Sequence, residues 1–427
     1  MIVSLLLIGC KHHSGVDTSV IRQPEDTDTP VGDSAALERL SGEMPVEVLL
    51  QQDAATELGS AVAVGGDLCG DGSVSILVGA LGAETVWLLG AGEPLALEGP
   101  GAGGSLALPG DLDSDGLDDA IIGGVGAVWL VAGPVTAARL LDAPWHTDAA
   151  GDDRMSVAAG GDLTGDGQPD LLLGAARADA AASDGGQVWV VPASAAPGTI
   201  EDAAVASLSG ATARGYAGYA LDGAGDVDGD GLDDVIVGAW GVQGFAGAAY
   251  IVHGPLSGSH SLDDAQAWHG EVAWDVAGWS VAGTGDVDGD GLGDVLIGAY
   301  GTDGAGFSAG GAYLVTGDGD GDGGSLSAAH ATLLGTAADQ QAGWSVAGAG
   351  DLDRDGFADV LIGAPGASGG VGAAWLRYGP LSGVIEVDAD ATLTSSVPGG
   401  AAGTAVAAHD GEILLGAPGA GALLRLP

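Results

Sequence analysis

The sequence predicts an all-β fold: a seven-bladed β-propeller of four-stranded antiparallel blades, its ring closed by a strand from the N-terminal side. Three observations predict it. A loop of the pattern Asp-x-Asp-x-Asp-Gly, whole or altered, recurs from Asp67, Asp111, Asp162, Asp226, Asp286 and Asp351. Each loop is followed by a short apolar run such as SILVGA, AIIGG, LLLGA, VIVGA or VLIGA. A further run with one aromatic comes next, carrying Trp87, Trp129, Trp189, Tyr250, Tyr313 or Trp375.

The elements follow in order within each copy. In the fifth, WSVAGTG is strand one, VLIGA strand two, GAYLVTG strand three and ATLLG strand four. Runs this short, rich in Val, Leu and Ile and bounded by Gly, form strands rather than helices. Four-stranded units repeated about every 45 to 65 residues describe propeller blades. One large ring per blade at one position is expected to pack between neighbouring sheets. A seventh copy, residues 403–427, keeps its strands but lacks the Asp loop and stops at strand three. A missing outer strand would leave an open edge. Residues 46–50 (VEVLL) stand where strand four stands before every later copy, so they are expected to complete blade seven.

The repeats resemble the FG-GAP repeat of integrin α-subunit propellers and their bacterial relatives, over about residues 45–427. The DxDxDGxxD loop followed by an apolar run and GA or GAP carries the resemblance. Strand one departs from the family's Phe-Gly, reading Gly218-Tyr219, Gly278-Trp279 and Gly343-Trp344. At the other end, residues 1–9 (MIVSLLLIG) before Cys10 resemble a bacterial lipoprotein signal with its lipobox. That resemblance implies cleavage before Cys10 and a diacylglycerol on its thiol. The domain organisation is then a signal segment, 1–10, a flexible polar tether, 11–43, and the propeller, 44–427. The expected location is extracytoplasmic: lipid-anchored to the cell envelope, at the outer membrane or cell surface.

Composition sets the partners. The 427 residues carry 59 acidic against 10 basic side chains, a formal net charge of -49, and Lys11 is the only lysine. Such a surface lacks the cations that phosphate binding needs, which excludes nucleic acid and leaves the lipid anchor as the only expected membrane contact. It favours cations. Hydrophobic residues make up 46% and lie in ordered runs, which excludes disorder. The two cysteines, Cys10 and Cys69, are expected not to pair.

Calcium takes six to eight oxygen ligands. In these loops positions 1, 3 and 5 supply carboxylates, Gly at 6 permits the sharp turn, and a carboxylate at 9 finishes the shell. An EF-hand would need Glu at position 12, where Ile122, Val237, Ile297 or Ile362 stands instead. Four loops are complete: Asp111/Asp113/Asp115/Asp119, Asp226/Asp228/Asp230/Asp234, Asp286/Asp288/Asp290/Asp294 and Asp351/Asp353/Asp355/Asp359. A fifth, Asp162/Thr164/Asp166/Asp170, keeps a hydroxyl at position 3 and is expected to bind more weakly. The first retains Asp67 and Asp71 but has Cys69 and Ser75 at positions 3 and 9, a weak or empty site. About four to five calcium ions are expected in all. The run Asp318/Asp320/Asp322 has Leu326 at position 9 and is incomplete.

Antiparallel strands place loops one-two and three-four on one face. The opposite face then carries Trp240, Phe245, Trp274, Tyr300 and Phe307, with Tyr216, as a candidate ligand surface for an extracellular protein or glycan. The integrin resemblance implies ligand binding at that loop face. The competing reading packs these rings over the Gly-rich loops. No catalytic constellation is present: His146, His253, His260, His269, His330 and His409 are scattered, His12-His13 read as solvated, and no hydrolase or metalloprotease motif occurs. The expected function is a non-catalytic, calcium-binding adhesion or recognition module. A structural or assembly lipoprotein ranks second, and an enzyme working in the central channel third. The inner strands, reading SVAG or ALDG, are small and apolar for the last of these.

Overall fold

The computed structural model describes residues 40–90, 92–141, 144–147, 154–317, 323–388 and 390–426. The Cys10 signal, His12-His13, most of the tether and the Asp318 run lie outside them. Seven antiparallel sheets of four strands follow one another around a ring. Blade four is representative: Leu221–Gly225, Asp234–Ala239, Ala248–Val252 and Gln266–His269 run from the axis outward. Blade seven comprises Ala405–His409, Glu412–Ala417, Ala422–Arg425 and, from the N-terminal side, Glu47–Gln51. Glu47–Gln51 pairs antiparallel with Ala422–Arg425, so the ring closes as expected. In blade seven a two-residue turn, Asp410-Gly411, replaces the Asp loop, and both residues adopt the left-handed backbone such a hairpin needs.

Strand two is buried along its whole length in blades one to six, because each sheet is covered by its neighbour on either side. Seven hydrophobic clusters form the core, one at each junction between successive blades. The strand-three rings serve these junctions: Trp129 packs on blade one, Trp189 on blade two and Trp375 on blade five. Each buried aliphatic or ring stabilises the junction by roughly 1.5–3 kcal/mol.

The recurring Gly-Ala at the end of strand two has a packing reason. A Cβ on Gly238 would stand 2.1 Å from the carbonyl oxygen of Gly278 in the next blade, and one on Gly363 would stand 2.2 Å from that of Gly403. Only a bare Cα lets successive inner strands approach this closely. Serines of strand one sew the same contact: Ser156 donates to the Gly218 carbonyl at 2.6 Å, Ser280 to Gly343 at 2.9 Å and Ser345 to Gly403 at 2.8 Å.

The three-four connections are more than loops. Gly258–Ser261 leaves blade four and pairs in parallel with Ala206–Ser209, the outer strand of blade three. Gly323–Ser325, Gly383–Glu386 and Arg139–Leu140 do the same for the blades before them. Gly42–Pro45, partly within the segment read as tether, adds to blade six before the chain enters blade seven. These short additions cover outer edges that would otherwise be open to pairing.

Candidate cation loops and an aromatic channel mouth

The Asp loops join strand one to strand two in blades one to six. Within each complete loop the structure brings three carboxylates together: Asp111/Asp113/Asp115, Asp226/Asp228/Asp230, Asp286/Asp288/Asp290 and Asp351/Asp353/Asp355 each offer oxygens within 4.8 Å of one another. Backbone N–H groups aim them. Asp226 accepts from Gly229 at 2.7 Å and Gly231 at 3.0 Å, Asp228 from Asp230 at 3.0 Å, and Asp230 from Leu232 at 2.9 Å. The loop around Asp286 repeats this frame with Gly289, Gly291, Asp290 and Leu292 as donors. The donor set is all oxygen and strongly anionic, which fits a hard divalent cation such as calcium.

Position 9, expected to finish the shell, lies outside these four triads and has a structural duty that the sequence pattern did not reveal. Asp119, Asp234, Asp294 and Asp359 are at most 1% exposed. Each clamps its hairpin to strand three. One oxygen accepts the position-2 N–H and the other accepts the N–H of the glycine after strand three. For Asp294 these donors are Val287 at 2.7 Å and Gly317 at 3.0 Å; for Asp359 they are Leu352 at 2.8 Å and Gly379 at 3.0 Å. Burial, reinforced by the other loop carboxylates, pushes both Asp294 and Asp359 up to about 6. A bound cation would oppose that shift.

The altered loops follow the same frame. Asp162 accepts from Gly165, Asp166 and Gly167, and Asp170 from the N–H groups of Leu163 and Thr164. In the first loop Ser75 takes over the clamp, accepting from Leu68 at 3.0 Å, and its hydroxyl meets the buried thiol of Cys69. Successive loops are also linked. The position-8 N–H of one donates to the position-1 carbonyl of the loop before: Gly293 to Asp226 and Ala358 to Asp286, both at 2.7 Å.

His253 belongs to no motif in the sequence. The structure places its Nδ1 3.2 Å from Asp234 and 3.4 Å from Asp228, at the rim of the blade-four loop. Its hydrogen bond to Asp234 raises its pKa. The only signal was position: His253 directly precedes Gly254, the residue whose N–H reaches Asp234 at 2.9 Å.

On the opposite face the structure joins four of the five predicted ligand-face rings. Trp240, Phe245, Trp274 and Tyr300 belong to a continuous network with Tyr216, Tyr219, Trp279 and Trp344. Trp240 and Trp279 are its two hubs, 5.6 Å apart; Trp279 has centroids 4.7 Å from Tyr219, 5.0 Å from Tyr300 and 5.1 Å from Trp344. Phe307 stays outside the network. It lines a neighbouring 580 Å³ cavity with Trp274, Tyr300, Asp275 and Asp303. The two opposed readings of these rings both hold in part: Trp240 is half-buried among its neighbours, while Trp274 and Phe307 are 66% and 73% exposed. Tyr216, Phe245 and Trp274 have φ of 57°, 69° and 78°, left-handed backbone that bulky residues seldom adopt.

Tyr219, Trp279 and Trp344 each follow the glycine at the start of strand one. They reach the axis, where all seven blades line a 990 Å³ cavity at the mouth of the central channel. Deeper in, Asp222 is an exception to the small, apolar inner strands. Its carboxylate accepts from Gly223 at 3.0 Å and from Gly283 of blade five at 3.1 Å. Burial pushes it up to about 7.

Comparison with known proteins agrees with this architecture. The FG-GAP repeat family matches residues 155–191 and 342–376, within blades three and six. Integrin alpha pat-2 of Caenorhabditis briggsae is 38% identical over 92 residues, which is 20% of this chain and 7% of that protein. Integrin alpha-V of Gallus gallus is 31% identical over 151 residues, 33% of this chain and 14% of that protein. The chain thus spans a small part of the length of these relatives. It carries FG-GAP repeats and, over up to about a third of its length, is homologous to integrin alpha chains. A solved BBS1N chain, from crystals of its complex with ARL6DN soaked with mercury, shares the fold at a TM-score of 0.52 and 10% identity, covering 90% of this chain and 98% of that one.

Proposed function

We propose that this chain is a non-catalytic recognition module of the extracytoplasmic space, stiffened by calcium on one face of the propeller and binding its partner on the other. The observation that carries the reading is the separation of the two faces. Four Asp triads gather carboxylate oxygens at the one-two loops, and eight contacting aromatic rings gather at the two-three and four-one loops. Carboxylates this close repel one another unless a cation lies between them. Calcium therefore belongs to the folded state, with about four to five ions per chain. Lipidation at Cys10 tethers the propeller to the envelope, and the extracellular setting agrees with the integrin homology.

Equilibrium dialysis of the purified chain against calcium, followed by a binding screen of the calcium-loaded protein on glycan and extracellular-protein arrays, tests the reading. About four to five bound ions, with array binding lost on changing both Trp240 and Tyr300 to Ala, are expected. A chain that binds no calcium, or whose array binding survives that double change, overturns it.

A further inference from the structure

The channel mouth has a chemistry of its own. Blades four, five and six contribute Tyr219, Trp279 and Trp344 to one side of the 990 Å³ cavity. Blade three, next to Tyr219, contributes Arg154 from its four-one loop and Arg177 from its two-three loop. Both arginines are exposed. Their placement matters because basic residues are scarce: the chain has 10, of which one is lysine, so two of only nine arginines line this single cavity. Glu57 is the one acidic residue of the cavity's lining, so two cations face one anion there, the reverse of the chain's overall acidic excess.

Three features bear on what fits. Tyr and Trp faces stack against flat apolar surfaces, including the C–H face of a sugar ring, while leaving polar edges wet. Guanidinium groups pair with carboxylate or sulfate through forked hydrogen bonds. The volume is in the range of roughly 300–1,000 Å³ that small-ligand sites occupy, enough for several sugar units. A cationic ligand would meet both arginines.

We infer that the channel mouth binds an acidic saccharide, stacking a sugar ring on Tyr219, Trp279 and Trp344 and pairing its carboxylate or sulfate with Arg154 and Arg177. This deepens the recognition reading by naming the ligand class. The specificity is local, since the opposing field of the whole chain is screened beyond about 8 Å at physiological salt.

The test is calorimetric titration of the full, calcium-loaded chain with three tetrasaccharides: an oligogalacturonate for carboxylate, a heparin fragment for sulfate, and cellotetraose as the neutral control. One or both acidic sugars are expected to bind at least about tenfold more tightly than cellotetraose, a difference of about 1.4 kcal/mol. Changing Arg154 and Arg177 together to Gln should abolish that preference. Tyr219→Ala, at an exposed ring, should weaken every sugar that binds. Equal binding of acidic and neutral sugars, or an acidic preference that survives the arginine changes, overturns the proposal. If no saccharide binds but a protein ligand is captured through Trp240 and Tyr300, the saccharide proposal falls and the recognition reading stands. If neither binds, both fall.

Discussion

Gly298 of blade five lies so close to Gly343 of blade six that a Cβ on Gly298 would stand 2.2 Å from the Gly343 carbonyl oxygen. The contact recurs around the ring and sets how near the inner strands come. Gly298→Ala is therefore expected to force the two blades apart. Overpacking of a close backbone contact costs about 1–3 kcal/mol or more. Urea unfolding should show the loss. A midpoint equal to that of the parent would mean that the glycine is not what spaces the blades.

The two kinds of loop aspartate should separate in their response to calcium. Asp294 clamps Val287 and Gly317 from a buried position, so Asp294→Asn places an amide against an N–H donor and leaves one buried group unpaired. The expected loss is about 1–3 kcal/mol with or without calcium. Asp288 belongs, with Asp286 and Asp290, to one of the candidate cation triads. Asp288→Asn should leave the chelated protein nearly unchanged and reduce only the extra stability that calcium confers. Melting each variant in calcium and in chelator checks both. Identical behaviour of the two variants would contradict the division of roles.

Asp222 predicts a pH dependence. Its folded pKa, about 7, lies above the ordinary 3.8. The folded state therefore holds this proton more tightly than the unfolded chain does. The associated stability is fully present below about pH 4 and is lost as pH rises through about 7. At about 1.4 kcal/mol per pH unit the upper limit is roughly 4 kcal/mol, lessened by water that reaches the channel. Asp222→Asn sets an amide against one of the two N–H donors and so carries a pH-independent cost, but it has no charge and should lose this part of the slope. Parallel curves for the two proteins between pH 4 and 8, measured in chelator, would refute the assignment.

Ring closure can be tested by truncation. Glu47–Gln51 supplies the fourth strand of blade seven, and Leu49 and Leu50 are buried at the junction with blade one. Removing residues 1–39 should leave the melting temperature unchanged. Removing residues 1–51 opens the edge of Ala422–Arg425 and exposes that junction, and aggregation or a large fall in melting temperature is expected. A shortened protein that melts like the parent would show that the ring does not depend on this strand.

The blade count, the strand order and the closing strand were all legible in the amino-acid sequence. That is because these depend on local patterns repeated along the chain: an Asp-Gly turn, a buried apolar run and a ring at one position. Residues 46–50 were legible because a three-stranded last copy implies a missing neighbour. The Asp triads were legible because positions 1, 3 and 5 of one short loop are bound to converge. Tertiary structure alone decided the rest. It brought Tyr219, Trp279 and Trp344, from three blades, into contact with Trp240 and Tyr300, and set Arg154 and Arg177 at the same mouth. It also put His253 beside Asp234 and turned the three-four connections into strands on the preceding blade. Those contacts join residues far apart in the chain, and the curvature of the ring, not any periodicity, determines which of them meet.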